Sequence, residues 1–206
     1  MSNPKWLEWV QALQAHAQNG LTYTQNPFDA QHYQAIMAIA AEILAEYTQT
    51  DLAVVHDVFA AQDGYMTPKV DIRGAVFKDD KILLVKELSD GCWTLPGGWV
   101  DVNESPSQAV EREVWEESGF RVKATRLMAL YDRNKHGHPA YFYHLYKVYF
   151  QCDLLGGEAC DSLETAGASF FAEDRIPPLS TGRTSPQVLR RLFNLYRAPY
   201  QPADFD

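Results

Sequence analysis

The sequence has few cysteines, and their spacing matches no metal-binding pattern. It contains three, Cys92, Cys152 and Cys160. An odd number of cysteines in strand-like surroundings fits neither a disulfide framework nor a zinc site. We therefore expect the three thiols to be reduced and packed, as in a cytoplasmic protein.

Long apolar runs and an excess of basic residues are also missing. Because the N-terminal stretch MSNPKWLEWVQALQAHAQ holds no long apolar run, we expect neither a signal peptide nor a membrane span. The 27 acidic residues outnumber the 18 lysines and arginines, which gives a net charge of −9. Nucleic-acid binding relies on a basic surface, so this charge weighs against a general nucleic-acid binder. A small anionic substrate stays compatible, since a bound metal and a few local arginines can hold it.

The first third of the 206-residue chain has a helical pattern. Apolar residues at helical spacing predict a helix that ends at Asn19-Gly20, a second that opens at Phe28-Asp29 and a third over Leu52–Ala61. Three helices of this size bury little surface alone, so we expect them to pack on the main domain or on a second subunit. We place the helical segment at residues 1–66 and the main domain at residues 67–206.

The main domain combines strands with two helices. Runs rich in branched and aromatic residues predict strands, and the first two read as a hairpin. The predicted strands cover residues 70–77, 81–86, 121–131, 141–155 and 169–171. Ser185-Pro186 caps a last helix. This order predicts an α/β fold, an α/β/α sandwich with a mixed sheet, preceded by a small all-helical segment.

One helix of the main domain has both of its ends marked. Ser105 suits the N-cap, Pro106 the first helical position, and Gln108 completes a capping box three residues after the serine. Gly119 is placed to end the helix in a left-handed conformation. The predicted helix therefore covers residues 106–118.

Three carboxylates share one face of this helix. Glu113, Glu116 and Glu117 are spaced i, i+3, i+4, and each like-charge pair costs about 0.2–0.5 kcal/mol on an exposed helix. They also lie in the C-terminal half, where the helix dipole disfavours negative charge. Arg112 reaches Glu116 at i+4 and offsets part of this repulsion. A hard cation such as Mg²⁺, with Mn²⁺ as the alternative, would offset more.

The residues around the helix match a family pattern. The stretch GWVDVNESPSQAVEREVWEESGF, residues 98–120, has the spacing G-x5-E-x7-R-E-U-x-E-E-x-G-U, where U is bulky and apolar. A chance match has odds on the order of 10⁻⁹ per starting position. The preceding Pro96-Gly97-Gly98 reads as a tight turn that lets backbone approach a ligand. The chain therefore resembles the Nudix hydrolases.

The resemblance implies a role for each position of this box. The implied metal ligands are Glu113, Glu116, Glu117 and the backbone carbonyl of Gly97. Arg112 resembles the residue that orients a catalytic carboxylate. Two further box residues, Glu104 and Gly98, resemble structural positions that fix the loop against the helix.

The whole chain is similar to one bacterial branch of the family, the ADP-ribose or CDP-choline pyrophosphatases with an added N-terminal helical segment. The segments that carry this similarity are LTYTQNPFD, TPKVDIRGAVF, LPGGWVDVNESP, YDRNKHGHP and PADFD. The resemblance implies Mg²⁺-dependent cleavage of a nucleoside diphosphate linked to X, giving a nucleoside monophosphate and phospho-X. It also implies a homodimer formed through the N-terminal helices. The alternatives are an RNA-end processing hydrolase and a non-catalytic nucleotide-sugar sensor, although sensors often lose box carboxylates and this chain keeps all of them.

Residues outside the box are candidates for substrate binding and proton transfer. In the polar loop 131–139, Arg133, Lys135 and His136 suit contacts to phosphate or nucleotide, against the alternative of a solvated loop. Glu164 suits the extra acidic ligand or base that many Nudix enzymes carry in a loop, against a plain surface carboxylate. Asp161 and Glu158 compete for that role.

Two arginines and a tryptophan complete the candidates. Arg73 and Arg183 are weaker candidates for binding phosphate. Trp99 suits either stacking on a base or packing, and we favour packing. A metal-binding role for His136 and His138 is disfavoured because oxygen ligands dominate the predicted site.

Overall fold

The computed structural model describes residues 4–206. They form two compact units, one of residues 69–139 and 145–206 and the other of residues 4–68 and 140–144. The predicted boundary between residues 66 and 67 stays a prediction, and the segment 140–144, which it assigned to the main domain, clusters with the helices. None of the helices in the described part of the chain is long and apolar enough to cross a membrane.

The helical unit consists of three helices, α1 (Lys5–Tyr23), α2 (Pro27–Thr48) and α3 (Leu52–Ala60). Their buried core is formed by Leu7, Val10, Ala40, Ala41, Leu44, Val55 and Phe59. The predicted end of α1 at Asn19-Gly20 is wrong, because the helix continues to Tyr23. A Cβ on Gly20 would overlap the Tyr33 ring, so this glycine lets α2 pack closely against α1 and does not end the helix.

The other unit is built on a mixed seven-stranded sheet. The strands are β1 (Lys69–Lys78), β2 (Lys81–Glu87), β3 (Trp93–Thr94), β4 (Phe120–Asp132), β5 (Leu145–Gly157), β6 (Thr165–Ala172) and β7 (Asp204–Phe205). Their order is β3-β2-β1-β5-β4-β7, and β6 pairs with β2. The β1–β5 and β4–β7 pairs are parallel, and the other pairs are antiparallel.

One helix covers each face of this sheet. From α4 (Pro106–Ser118), Val110 and Val114 pack on a core that includes Ile72 of β1. From α5 (Pro186–Arg197), Leu192 and Phe193 belong to a second core. The centre of β1 is buried over six consecutive residues, as expected for a strand covered on both faces. The predicted α/β/α sandwich with a preceding helical segment is therefore confirmed.

The aromatic run at residues 141–155 does not form one strand throughout. Strand β5 begins only at Leu145. Gln11 Nε2 donates to the Tyr141 carbonyl, and Phe142 packs on the core of the helical unit. The high β-propensity of these aromatic residues is overridden by their burial against helices. The short strand predicted at residues 169–171 is longer than expected, because β6 pairs along most of β2.

Candidate active site

Local sequence signals set both ends of α4. The Ser105 side chain accepts from the Gln108 amide, and the Gln108 side chain accepts from the Ser105 amide, which completes the predicted capping box. Gly119 adopts the left-handed conformation, with φ of 76°, and its N–H donates to the Trp115 carbonyl. The helix bounds predicted from the sequence are confirmed, so the spacing of its carboxylates places them on one face.

The glycine turn after β3 lies directly against β1. The Ile72 amide donates to the Gly98 carbonyl at 2.8 Å, and the Gly74 amide donates to the Pro96 carbonyl at 2.9 Å. Gly97 has φ of 136°, and a Cβ there would overlap the Ile72 carbonyl oxygen. Only glycine fits this approach of two backbones. The Gly97 N–H points at α4 and donates to Glu117 Oε2 at 2.8 Å.

The glycine turn and α4 border a cleft of about 900 Å³. The predicted site residues that line it are Arg73, Gly97, Arg112, Glu113, Glu116, Glu117 and Glu164. The structure therefore brings together every residue to which the sequence assigned a metal-binding or catalytic role. Glu158 and Asp161, which competed with Glu164, are exposed and do not belong to the lining.

Arg112 links four acidic residues around the cleft. Its Nε and Nη2 atoms donate to the two carboxylate oxygens of Glu104 at 2.8 and 2.9 Å. Its Nη1 donates to Glu113 at 2.8 Å and to Glu116 at 2.9 Å. Asp101 lies farther away, at 3.9 Å. The hydrogen bonds from Arg112 lower the pKa of Glu104. Such an arrangement orients the carboxylates of Glu113 and Glu116.

Glu117 is a buried carboxylate, with 7% of its surface exposed. Burial raises its pKa to about 8, although the Arg73 charge and the Gly97 N–H act in the opposite direction. Burial also raises the pKa of Glu113. A cation bound beside these side chains would favour their ionised forms.

Glu113, Glu116 and Glu117 line one cleft but do not all share one hydrogen-bond partner. Among residues 4–206, no three His, Cys, Asp or Glu side chains form a ready metal-binding group. Arg112 engages Glu113 and Glu116, while Glu117 accepts from the Gly97 amide.

Arg73 is part of a buried ionic network beneath the cleft. Its Nε and Nη2 donate to both oxygens of Asp71 at 2.9 and 2.8 Å, and its Nη1 donates to the Leu95 carbonyl at 3.1 Å. Lys147, opposite Asp71 in the β1–β5 register, donates to the same carboxylate at 2.7 Å. Burial would raise the pKa of Asp71, but the two cations lower it to about 2. Arg73 is thus held firmly by its own network.

Residues 131–139 comprise the end of β4, a 3₁₀ turn (Arg133–Lys135) and a loop, and none of them belongs to the cleft lining. Arg133 is 2% exposed and donates to the carbonyls of Pro139 and Gly182. His136 contacts Asp206 at 2.8 Å, whereas Lys135 is exposed. The substrate-binding role expected for Arg133, Lys135 and His136 stays a prediction, because the structure does not bring them to the carboxylates.

Three cleft residues were missed or ranked low from the sequence. Glu87, at the end of β2, is 5% exposed, and burial raises the pKa of its carboxyl group. Its Oε1 lies 3.0 Å from Nε of Arg183, which was only a weaker candidate. The available signal was a carboxylate at the end of a strand whose centre, residues 82–85, is apolar. Trp99, for which we favoured packing, is 44% exposed and lines the cleft.

The three cysteines are free thiols, as expected. Cys152 is buried and Cys92 is half-buried. The expectation that all three are packed is wrong for Cys160, which is exposed. It follows the end of β5 in a loop that borders the cleft, where no second layer covers it.

Comparison with known families identifies the fold. The model of the NUDIX domain matches residues 68–192. The family described as a UDP-X-like, N-terminal oligomerisation domain matches residues 4–59. The fold and the carboxylate helix define a hydrolase of phosphoanhydride bonds. The chain belongs to the Nudix family, and it is a Nudix pyrophosphohydrolase.

Individual relatives match over most of the chain. A Bacillus subtilis protein named "Putative ADP-ribose pyrophosphatase YjhB" is 42% identical over 98% of this chain and 97% of its own length. The crystal structure of a UDP-X diphosphatase is 31% identical, covers all of both chains and has a TM-score of 0.63. That of an ADP-ribose pyrophosphatase from Streptococcus suis is 42% identical, with a TM-score of 0.62 over 68% of this chain and all of its own.

Proposed function

We propose that this chain is a metal-dependent hydrolase of a nucleoside diphosphate linked to X, of the ADP-ribose or CDP-choline type. The products are a nucleoside monophosphate and phospho-X. The observation that carries the proposal is one cleft that combines Gly97, Arg112 and the three carboxylates of α4. The names of the B. subtilis and S. suis relatives support ADP-ribose-like substrates.

The proposed cofactor is Mg²⁺, with Mn²⁺ as the alternative. The donor chemistry fits, because carboxylate and carbonyl oxygens are the ligands that these hard cations prefer. Glu113, Glu116, Glu117 and the Gly97 carbonyl would hold the ion. When bound, it neutralises charge on the phosphoryl oxygens and lowers the pKa of a coordinated water. The raised pKa of buried Glu117 supports this assignment, since a buried carboxylate needs a positive partner.

The remaining roles belong to side chains at the edge of the proposed ion site. Arg112 positions Glu113 and Glu116 through its hydrogen bonds. A carboxylate takes the proton of the attacking water, either one of the box or that of exposed Glu164. Attack of that water at one phosphorus breaks the diphosphate bridge.

Replacing Glu117 tests the catalytic assignment. Glu117→Gln keeps the volume and an acceptor for the Gly97 amide but removes the charge. We expect turnover to fall at least about 100-fold, the scale for loss of an essential acid–base or ligand group, while the urea unfolding midpoint does not decrease. The matched control is exposed Glu158→Gln, which should keep full turnover. Wild-type-like turnover by Glu117→Gln would refute the assignment.

The substrate is tested by a screen of nucleoside diphosphate derivatives. Each compound is incubated with the protein and Mg²⁺ or Mn²⁺, and the products are identified by mass. Release of a nucleoside monophosphate and phospho-X supports the proposal. Activity restricted to RNA ends would favour the RNA-processing alternative, and binding without turnover would favour a nucleotide-sugar sensor.

We further propose that the protein is a cytoplasmic homodimer formed through its helical unit. Large apolar side chains of this unit are exposed, with Trp9 and Tyr47 at 61%, Phe28 at 71% and Ile39 at 53%. Exposed apolar patches often mark interfaces, and the oligomerisation family matches these residues. The free thiols suit a reducing compartment.

Light scattering tests the assembly. The wild type should have twice the 23.4 kDa mass of one chain. Replacing Trp9, Phe28 and Ile39 together by serine should shift the mass to one chain. The control replaces exposed Leu155 of β5 by serine and should stay dimeric. A wild type that is monomeric at all concentrations would rule out the homodimer.

A further inference from the structure

We infer that Arg183 binds a phosphate oxygen of the substrate and that Glu87 is the positioning residue that aims its guanidinium into the cleft. The inference rests on the proposed function and deepens it, because it names the side chain that recognises the diphosphate. Among the described residues that line the cleft, the basic ones are Arg73, Arg112 and Arg183. A diphosphate needs cationic contacts besides the metal, so one or more of these three must supply them.

All three arginines contact protein acceptors, but two of them are more deeply buried than the third. Arg73 is almost fully buried, and all three nitrogens of its guanidinium donate to Asp71 or to the Leu95 carbonyl. Arg112 has 26% of its side chain exposed and donates to three carboxylates. Arg183 has 38% of its side chain exposed, the largest share of the three. It is therefore the arginine with the most surface left for an anionic ligand.

The turn that carries Arg183 is anchored to β3 and to Leu95, which follows it. The Ser180 amide donates to the Trp93 carbonyl at 2.8 Å. The Thr184 hydroxyl contacts the Thr94 hydroxyl and accepts from the Leu95 amide, and both threonines are fully buried. The anchored strand β3 continues into the glycine turn of the site, so Arg183 is fixed relative to Gly97.

Protein acceptors lie within 3.3 Å of each of the three nitrogens of the Arg183 guanidinium. Its Nε lies 3.0 Å from Glu87 Oε1, while Nη1 and Nη2 donate to the hydroxyls of Ser180 and Ser89 at 3.2 and 3.3 Å. Asp90 lies 3.9 Å from Nη1. An arginine carries five N–H groups, so donors remain for a ligand. Glu87 is buried within the same cleft, and a buried carboxylate needs its cation, which keeps the pair together.

Arg133 and Arg183, both candidates for phosphate binding from the sequence, differ in their accessibility in the folded chain. Both the 131–139 loop and the turn at residues 180–184 contain an arginine among polar residues. In the folded chain, Arg133 is buried on backbone carbonyls, whereas Arg183 faces the cleft. A phosphate contact requires an accessible guanidinium, so the structure favours the second arginine.

The test compares Arg183→Gln with a matched control, exposed Arg175→Gln. For the substrate that the screen identifies, Arg183→Gln should raise KM about 10- to 100-fold, the loss expected for one charge-assisted hydrogen bond, with kcat changed far less. Arg183→Lys should fall between wild type and Arg183→Gln, because it keeps the charge without the fork. Arg175→Gln should leave KM within about twofold, as expected for a surface change.

A binding measurement separates this inference from the proposed function. Calorimetric titration with inorganic pyrophosphate, at fixed free Mg²⁺, needs no turnover. Arg183→Gln should weaken pyrophosphate binding by the same factor by which it raises KM. If the wild type cleaves no diphosphate, the proposed function fails, and the titration still decides the role of Arg183. Pyrophosphate binding unchanged in Arg183→Gln would overturn the inference even if KM rose.

A double-mutant cycle tests the positioning role of Glu87. Glu87→Gln should raise KM, as Arg183→Gln does, because the Arg183 guanidinium loses its carboxylate partner. In the double variant, KM should be no higher than in Arg183→Gln alone, since Glu87 acts through Arg183. If the fold-increases in KM of the two single variants multiply in the double variant, Glu87 acts independently of Arg183 and its positioning role is refuted. Unfolding midpoints equal to that of Arg175→Gln show that each variant is folded.

Discussion

Removing Asp71 should cost more stability than any surface change in this protein. Asp71 accepts from Arg73 on both of its oxygens and from Lys147 on one, at 2.7–2.9 Å. The three side chains are 2–9% exposed. Asp71→Asn keeps the shape of the side chain but leaves two cations without a negative partner in the interior.

The size of the effect follows from that geometry. Breaking a buried ion pair by removing one partner costs about 3–5 kcal/mol, a large part of the roughly 5–15 kcal/mol that stabilises a domain. Arg73 stays charged, whereas burial lowers the pKa of Lys147 to about 7, so Lys147 can release its proton. Because Asp71 raises the pKa of Lys147, that pKa is lower still in Asp71→Asn, and the cost should grow as the pH falls below about 7, where only the wild type offers the protonated Lys147 a negative partner.

Urea unfolding followed by tryptophan fluorescence measures this cost. Asp71→Asn/Lys147→Met removes one of the unpaired cations and should recover about 1–2 kcal/mol relative to Asp71→Asn alone. Exposed Asp174→Asn is the control and should change stability by less than about 0.5 kcal/mol. A loss of less than about 1 kcal/mol in the free energy of unfolding of Asp71→Asn would refute the role of Asp71 in the network. A double variant that is less stable than Asp71→Asn would refute it as well.

Two further perturbations probe the packing around the site. Burial lowers the pKa of His138 to about 3, and its Nδ1–H donates to the Thr181 carbonyl. The unfolded chain therefore binds the extra proton below pH 6.5, and stability is lost as the pH falls from there towards 3. Relative to His138→Gln, the free energy of unfolding of the wild type should fall by about 2 kcal/mol between pH 7 and pH 5 in urea titrations. The same pH dependence of stability in both proteins would contradict this. Gly97→Ala should lower the free energy of unfolding by at least about 2 kcal/mol and remove most of the turnover, because the new Cβ overlaps the Ile72 carbonyl. The control Gly182→Ala, with open space around it, should change stability little. Equal unfolding midpoints for the two variants would contradict the overlap.

The helix of the box could be predicted in full because its signals are local. The capping box at Ser105 and the left-handed glycine at position 119 are read from neighbouring residues. The three carboxylates follow from helical spacing alone. Their engagement with Arg112 was predicted only for Glu116, since the bond to Glu104 depends on how the preceding loop folds back.

Contacts between distant segments could not be predicted in the same way. Asp71 and Lys147 meet because β1 pairs in parallel with β5, and no local pattern states that register. Glu87 and Arg183 are brought together by the anchoring of one turn on β3. The loop predicted for residues 131–139 is only partly right, because Tyr131 and Asp132 end β4 and Arg133–Lys135 form a 3₁₀ turn. The composition of the segment does not tell whether Arg133 points to solvent, to a ligand or into the protein.

The path of the chain has a consequence for dissecting this enzyme. The polypeptide leaves the helical unit after residue 68, returns to it for residues 140–144 and leaves it again. A fragment that starts at residue 67 would keep Phe142 but lose the apolar core on which that ring packs. The NUDIX-domain match is one continuous stretch, residues 68–192, but its residues 140–144 cluster with the helical unit. Swapping the helical unit between relatives therefore requires exchanging residues 140–144 together with the residues up to 68.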